Sequence, residues 1–254
     1  MSISIKTARE IEKMRRAGEL LEKVHDELGR AIHPGMSTWE INKLGEEMIR
    51  SFGCTPNFLN YNGYPASICV SVNEEVVHGI PSKKRILKEG DIVSLDAGLI
   101  YKGYHSDAAR THAVGKVSTE AQKLMDVTKQ SFFEGIKMAK EGQHLHDISR
   151  AIEEYVTPYG YGIVRDLVGH GIGTALHEAP EIPNYEVGRK GVKLRPGMTL
   201  AIEPMINIGT YEVDWLDDDW TVVTRDGSLS AHYENTILIT EGEPRILSLT
   251  CDNE

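Results

Sequence analysis

The chain has 254 residues, 40% of them hydrophobic and 26% charged, with a formal net charge of −10. It is long enough to bury a large core, as one big or two ordinary domains. No apolar run approaches the roughly 20 residues of a membrane span, and so acidic a balance disfavours general nucleic-acid binding, which needs a basic surface.

The N-terminus, Met1-Ser2-Ile3-Ser4-Ile5-Lys6, passes straight into a charged helical pattern with no signal peptide. Ala8 to Ile32 carries Ile11, Met14, Leu20, Leu21, Val24 and Leu28 near helical spacing. Ser37-Thr38-Trp39-Glu40 is a capping-box pattern that predicts a second helix to about Ser51. Strands are expected at Ala66 to Val72, Asp91 to Ile100 and Tyr104 to Val114. A second round follows: helices from Ser118 to about Lys140 and from His144 to about Thr157, then strands at Val164–Val168, Met198–Ile208, Thr221–Val223 and Tyr233–Ile239. Asp217-Asp218-Asp219, between two tryptophans, reads as a solvated loop rather than a cation site. Cys54, Cys69 and Cys251 form no CxxC pair and suit a reducing compartment, so a cytoplasmic protein is expected.

The two rounds are related. Leu87-Lys88-Glu89-Gly90-Asp91-Ile92-Val93-Ser94-Leu95-Asp96 aligns with Leu194-Arg195-Pro196-Gly197-Met198-Thr199-Leu200-Ala201-Ile202-Glu203 at an offset of 107 residues. The same offset joins Gly35 to Gly142, Glu40 to Asp147 and Ile41 to Ile148. A further echo, His78-Gly79-Ile80-Pro81 against His177-Glu178-Ala179-Pro180, has an offset of 99. Two copies are too few for a solenoid. With no linker between them, they predict one α+β domain over residues 1–254, an internal duplication of about 1–115 and 116–254. Helices cover a curved antiparallel sheet, and the two pseudo-symmetric halves share a site.

Each half delivers an acid at a strand end. A hairpin turning at Tyr101-Lys102 would pair Ile100 with Gly103 and set Asp96 opposite Asp107, with a one-residue slip if Gly103 makes a bulge. Opposed carboxylates repel unless protons or cations intervene, so a cation-binding pair is expected. His170 lies in Gly169-His170-Gly171-Ile172-Gly173, where glycines permit close backbone approach. Taken singly, a histidine in such a place is more often structural. Glu203 ends the repeated strand before Pro204, and Glu234 sits in the apolar run Tyr233–Ile239. Together, Asp96, Asp107, His170, Glu203 and Glu234 offer four carboxylates and one imidazole, a set that balances two divalent cations and suits Mn, Fe, Co or Zn. Two such ions about 3.5–4 Å apart would hold a bridging hydroxide and polarise a carbonyl. HExxH and GxSxG are absent.

At these residues the chain resembles the bacterial type I methionine aminopeptidases, metallopeptidases of the pita-bread fold. The likeness spans nearly the whole length and rests on Asn73-Glu74-Glu75-Val76-Val77-His78-Gly79-Ile80-Pro81, Asp96-Ala97-Gly98, Ser106-Asp107, Gly169-His170-Gly171-Ile172-Gly173, His177-Glu178, Ile202-Glu203-Pro204 and Tyr233-Glu234-Asn235-Thr236. It implies hydrolytic removal of initiator methionine from nascent chains, with a small second residue favoured. One metal would take Asp107, His170, Glu203 and Glu234, and the other Asp96, Asp107 and Glu234. His177 would contact the scissile carbonyl, His78 the amide nitrogen, and Glu203 would also shuttle the proton. The methionine pocket would comprise Phe58, Tyr61, Tyr64, Cys69, Leu176 and Trp220, although by residue type alone these are ordinary core. Asn73 and Ser230 resemble a monovalent-cation site. His232 stands where glutamine is expected and Asn235 where histidine is common. The implied protein is a monomer acting on nascent N-termini, with a ribosomal contact and no membrane or specific nucleic-acid partner. Its rivals are aminopeptidase P, creatinase-like and type II relatives of the same fold, and a non-catalytic binding protein on that scaffold.

Overall fold

The computed structural model describes residues 3–249; Met1, Ser2 and Cys251 lie outside the described residues. Helix α1 spans Ala8–Ala31 and α2 spans Thr38–Ser51, the latter opened by the expected capping box. The Ser37 Oγ accepts from Glu40 N at 3.3 Å, and the Glu40 carboxylate accepts from Ser37 N at 2.8 Å. In the second half, α3 covers Thr119–Ile136 and α4 covers Leu145–Val156, where a 3₁₀ turn at Thr157–Tyr159 takes over.

One nine-stranded antiparallel sheet forms the floor. Along it lie Thr55–Pro56, Ile92–Tyr101, Tyr104–Ala113, Glu234–Leu238, Thr199–Ile202, Gly169–Gly171 and Glu178–Ile182, in that order. Ile68–Val72 also pairs with Ile92–Tyr101, and Arg245–Ile246 with Glu234–Leu238. Two three-stranded sheets complete the body. Helices α1 and α2 bury Leu21, Val24, Leu28, Ile41 and Ile49 against Ile68, Val70, Leu95 and Leu99. Helices α3 and α4 do the same with Leu124, Phe132, Ile148 and Ile152 against Leu200, Ile202 and Ile237.

The halves match in backbone detail at the 107-residue offset. Gly35 and Gly142 both take the left-handed conformation, at φ 92° and 87°. Gly35 N donates to Leu87 O, as Gly142 N donates to Leu194 O. The isolated bridge Ser37–Ile86 has its counterpart in His144–Lys193. Glu40 and Asp147 each accept from the backbone N–H three residues earlier, at the mouth of α2 and of α4.

Three strand expectations need correction. The hairpin turns at Lys102-Gly103, both at positive φ (49° and 82°), the geometry of a tight two-residue hairpin turn. Tyr101 therefore pairs with Tyr104, and Asp96 lies opposite Ala109 while Asp107 lies opposite Gly98. The shift preserves parity, so both acids stay on one face as diagonal neighbours. Val164–Val168 is not a strand; Gly162–Ile163 and Gly169–Gly171 flank it. Met198–Ile208 is broken at Glu203-Pro204, where the chain leaves the large sheet and Met205–Asn207 joins a small one with Ser230–His232 and Gly162–Ile163. Among the described residues no helix is long and apolar enough to cross a membrane.

Behind the sheet, α1 buries His25, whose Nε2 lies 2.8 Å from Ala108 O. Burial first, then the Arg110 guanidinium and His112, hold His25 well below its ordinary value; burial and Arg110 hold His112 at about 4. Both fold as neutral rings. A depressed histidine contributes stability that is complete above the unfolded value of about 6.5 and is lost as pH falls through the folded value. Urea midpoints should therefore drop between pH 6.5 and 4 by more in the wild type than in His25→Gln. Parallel pH profiles for the two proteins would remove His25 from the acid response.

Candidate metal centre

Five consecutive strands of the large sheet each contribute one of the expected ligands. Asp96 comes from Ile92–Tyr101, Asp107 from Tyr104–Ala113, Glu234 from the start of its strand, Glu203 from just beyond Thr199–Ile202, and His170 from Gly169–Gly171. Register aligns them across the sheet: Asp96 and Glu234 both lie opposite Ala109, from its two sides, and His170 lies opposite Ala201. The His170 Nε2 stands 4.0 Å from Asp107 Oδ2 and 3.6 Å from Glu203 Oε1. Donor atoms of Asp107, His170 and Glu234 lie within 4.8 Å of one another, and so do those of Glu203, His232 and Glu234.

The glycines beside His170 have a measurable purpose. A Cβ on Gly169 would lie 2.4 Å from Ala201 O, and one on Gly171 2.3 Å from Ala179 O. Only glycine lets this strand approach so closely on both sides. The His170 Nδ1–H donates to Gly171 O at 2.9 Å, which leaves the Nε2 lone pair directed at the carboxylates. Burial above all, then His177, lowers His170 to about 3, so the ring is neutral, as a ligand must be.

The carboxylates carry the opposite stress. Burial, above all, pushes Asp96 up to about 7. Burial raises Asp107, Glu203 and Glu234 well above the usual range, reinforced by repulsion from their neighbours, Asp96 among them in each case. Asp96 Oδ1, Asp107 Oδ1 and Glu234 Oε1 are buried without a hydrogen-bond partner. Orphaned acceptors of this kind are met by cations, and the residues present therefore fit a divalent metal group. Arg110 lies behind the cluster and donates to Glu234 O (2.5 Å) and Asn235 Oδ1 (2.7 Å), so Asn235 fixes the Glu234 strand through this guanidinium.

The cluster floors a cavity of about 170 Å³ whose wall includes all six expected pocket residues, among them Phe58, Tyr64, Cys69 and Trp220. These side chains form a hydrophobic cluster of their own, distinct from the two main cores. Cys69 lies opposite Asp96 in the sheet, which joins pocket to metal centre. Tyr64 donates to Gly79 O at 2.8 Å and packs edge-on to Trp220. His78 takes φ 60°, a left-handed conformation that costs a non-glycine residue energy and recurs at functional sites. Burial, then His177, lowers it to about 4. His177 stands over His170, ring centroids 4.2 Å apart.

Sequence reasoning did not give Tyr61 its contact with His177, where the hydroxyl sits 2.7 Å from Nδ1. It also missed Asn62, which lines the cavity at φ 49°; Asn62-Gly63 after Tyr61 is a turn signal that marks it. Glu178 accepts from Thr174 N at 2.8 Å and pairs with buried Lys6 at 2.5 Å, and this ties down the loop that carries His177. Asn73 and Ser230 do meet, Ser230 N donating to Asn73 O at 2.9 Å, while Asn73 Oδ1 accepts from Ile92 N at 3.0 Å. Asp218 accepts from Trp220 N and Thr221 N, so the acidic loop seats Trp220.

The metallopeptidase family M24 pattern matches residues 12–241. The chain belongs to that family. It is 54% identical to a methionine aminopeptidase of Clostridium acetobutylicum over 97% of this chain and 99% of that protein. With methionine aminopeptidase 1 of Bacillus subtilis the identity is 50%, covering 94% and 96%. The crystal structure of a Thermotoga maritima methionine aminopeptidase superposes with a TM-score of 0.96 at 47% identity, covering 98% of this chain and all of that one. A Pyrococcus furiosus prolidase shares the fold at a TM-score of 0.76 and 26% identity, with 97% of this chain matching 65% of that chain. The pita-bread architecture is thus established, with its two pseudo-symmetric halves.

Raised carboxylate values mean that the metal-free fold binds protons more tightly than the unfolded chain. Its stability falls as pH climbs from about 4 through those raised values. A divalent cation that replaces the protons is worth most at high pH. The rise in melting temperature on adding Mn²⁺ should be larger at pH 8 than at pH 5.5, and Asp107→Asn should abolish most of it. Equal rises at both pH values would contradict this electrostatic account.

Proposed function

We propose that this chain is a dimetal methionine aminopeptidase that removes the initiator methionine of nascent polypeptides and favours a small second residue. The observation that carries the reading is a cluster of four carboxylates, Asp107 and Glu234 buried and Asp96 and Glu203 half-buried, with one imidazole, at the floor of an aromatic cavity. One ion would be held by Asp107, His170, Glu203 and Glu234, and the other by Asp96, Asp107 and Glu234, with Mn, Fe, Co or Zn suited to the donors. Bound there, the ions supply Lewis-acid polarisation of the scissile carbonyl and lower the pKa of a water.

The protein's own groups do the rest. Glu203, ionised when it holds a cation, accepts the proton of the attacking water and passes it to the leaving amine, and its burial strengthens its hold on that proton in between. When Tyr61 donates its hydroxyl proton to His177 Nδ1, the Nε2–H of His177 is left to meet negative charge on the carbonyl oxygen. His78, neutral and held by a strained backbone, meets the amide nitrogen. Phe58, Tyr61, Tyr64, Cys69, Leu176 and Trp220 receive the thioether, a polarizable group suited to aromatic and sulfur neighbours. The free α-amino group is read on the Asp96 side. Residues 1–254 act as one monomeric catalytic domain in the cytoplasm, built by duplication of about 1–115 and 116–254, and meet their substrates at the ribosome. Asn73 and Ser230 contribute to a monovalent-cation site.

Chelation should abolish cleavage of Met-Gly-Met, and Mn²⁺, Fe²⁺ or Co²⁺ should restore it. N-acetylated Met-Gly-Met should resist, and Met-Trp-Met should show a much lower kcat/KM. Full turnover by rigorously metal-free protein, or equal kcat/KM for the two free peptides, would refute the proposal.

His177→Ala should keep its metals yet lose about 10²–10³ in kcat, the usual effect of removing one oxyanion donor, with KM little changed. Tyr61→Phe should lose less, because it removes only the group that sets the tautomer. Metal content and single-turnover rates decide the matter; a His177→Ala protein that cannot hold metal would make His177 a ligand instead.

A further inference from the structure

His232 is the one imidazole at the centre to which neither the family resemblance nor the proposed mechanism gives a task. It is 1% exposed, and both ring nitrogens are buried without a hydrogen-bond partner. Its backbone is fixed from both sides: His232 N donates to Thr111 Oγ1, whose hydroxyl donates back to His232 O, both at 2.9 Å. The strand register places it opposite Met205, two residues beyond Glu203. The Nε2 lies 3.8 Å from Glu203 Oε2 and 4.0 Å from Glu234 Oε2.

Glu203 is thereby bracketed. Its Oε1 faces His170 Nε2 at 3.6 Å, and its Oε2 faces His232 Nε2 at 3.8 Å. The two rings differ in what they can offer. The His170 Nδ1–H is spent on Gly171 O, so its Nε2 is a lone pair. His232 has no such backbone partner, and the Glu203 carboxylate, ionised when it holds a cation, can only accept, so the ring proton belongs on Nε2. A movement of about 0.6 Å closes the 3.8 Å gap to the 3.2 Å limit of a hydrogen bond.

We infer that His232 is a positioning residue of the metal centre, its Nε2–H holding the Oε2 of Glu203 so that Oε1 is presented to the cation beside His170. The inference rests on Glu203 being a ligand, as proposed above. It gives the two oxygens of Glu203 separate tasks. Oε2 is anchored to the protein through one lone pair and keeps the other for the shuttled proton, and Oε1 serves the cation. Partners of this kind fix the orientation of a ligand, and their loss typically weakens metal affinity about 10–100-fold.

The test compares His232→Leu, which keeps bulk and removes the donor, with His232→Gln, which restores an N–H at similar reach. Should the leucine variant not fold, His232→Asn, whose shorter amide falls short of Glu203, takes its place. Mn²⁺ affinity by calorimetry should fall about 10–100-fold in the donor-less variant and largely return in His232→Gln. The melting temperatures of the metal-free proteins should stay close together, as a purely structural role would not allow. X-ray absorption of the Co²⁺-loaded wild type should count one imidazole per pair of ions. Two imidazoles would make His232 a ligand, and unchanged Mn²⁺ affinity without the donor would leave it no role; either overturns the inference. These readouts need no peptide, so they stand even if Met-Gly-Met is not cleaved and the aminopeptidase reading itself fails.

Discussion

The structure depends on one electrostatic conflict, that of four carboxylates held together on the floor of an aromatic cavity. Two like charges 4 Å apart in a protein interior repel by about 4 kcal/mol at an effective dielectric of 20. Asp96, Asp107 and Glu234 are kept in this state by the register of adjacent antiparallel strands, and Glu203 by the end of its strand at Pro204. Burial raises all four, repulsion adds to it for Asp107, Glu203 and Glu234, and orphaned oxygens remain on three of the four. The fold thus stores a demand for positive charge, and metal binding answers it. A network half satisfied in this way is costly in a purely structural core, which is why such a cluster marks a working site.

The sheet produces this concentration through its switch points. Glu203 precedes Pro204, and Glu234 follows Tyr233, at two of the places where the chain passes between the large sheet and a small one. The crossing is held by Tyr233 N donating to Pro204 O at 3.2 Å. Proline has no N–H to offer a ladder, and the change of sheet turns the adjacent carboxylate inward. His170 reaches the same point on a strand so closely flanked that its neighbours must be glycine. Around this floor the histidines are neutral by burial, so none of these imidazoles adds positive charge to compete with cations.

Pocket and cluster are one unit. Cys69 and Asp96 face each other across a strand pair, Tyr61 bonds to His177, and Tyr64 and His78 both pack edge-on against Trp220. A side chain seated among the aromatics therefore lies against the charged floor. Two loop anchors, Lys6 on Glu178 from far along the chain and Asp218 on Trp220 from within its own loop, hold that wall in place.

Much of this was legible in the sequence. The capping box at Ser37, the helix starts, the offset of 107 and the five candidate ligands all rest on local chemistry: side-chain periodicity, turn residues, and acids placed where an apolar strand should not tolerate them. Residue type alone could not decide the hairpin register, because Tyr101-Lys102 and Lys102-Gly103 are both reasonable turns and only the packed sheet selects the second. Nor could it show that Met198–Ile208 breaks at Glu203, since the apolar alternation continues through the point where the chain changes sheets. The aromatic set read as ordinary core until the fold placed it on the cavity wall. His232 was visible as a departure, yet its position between two carboxylates belongs to neither neighbour in the chain. The sequence by itself determined which groups the site contains and which elements carry them, because those follow from nearest-neighbour preferences. Tertiary structure decided which atoms face one another, because strand register and sheet crossing are fixed by packing between residues far apart in the chain.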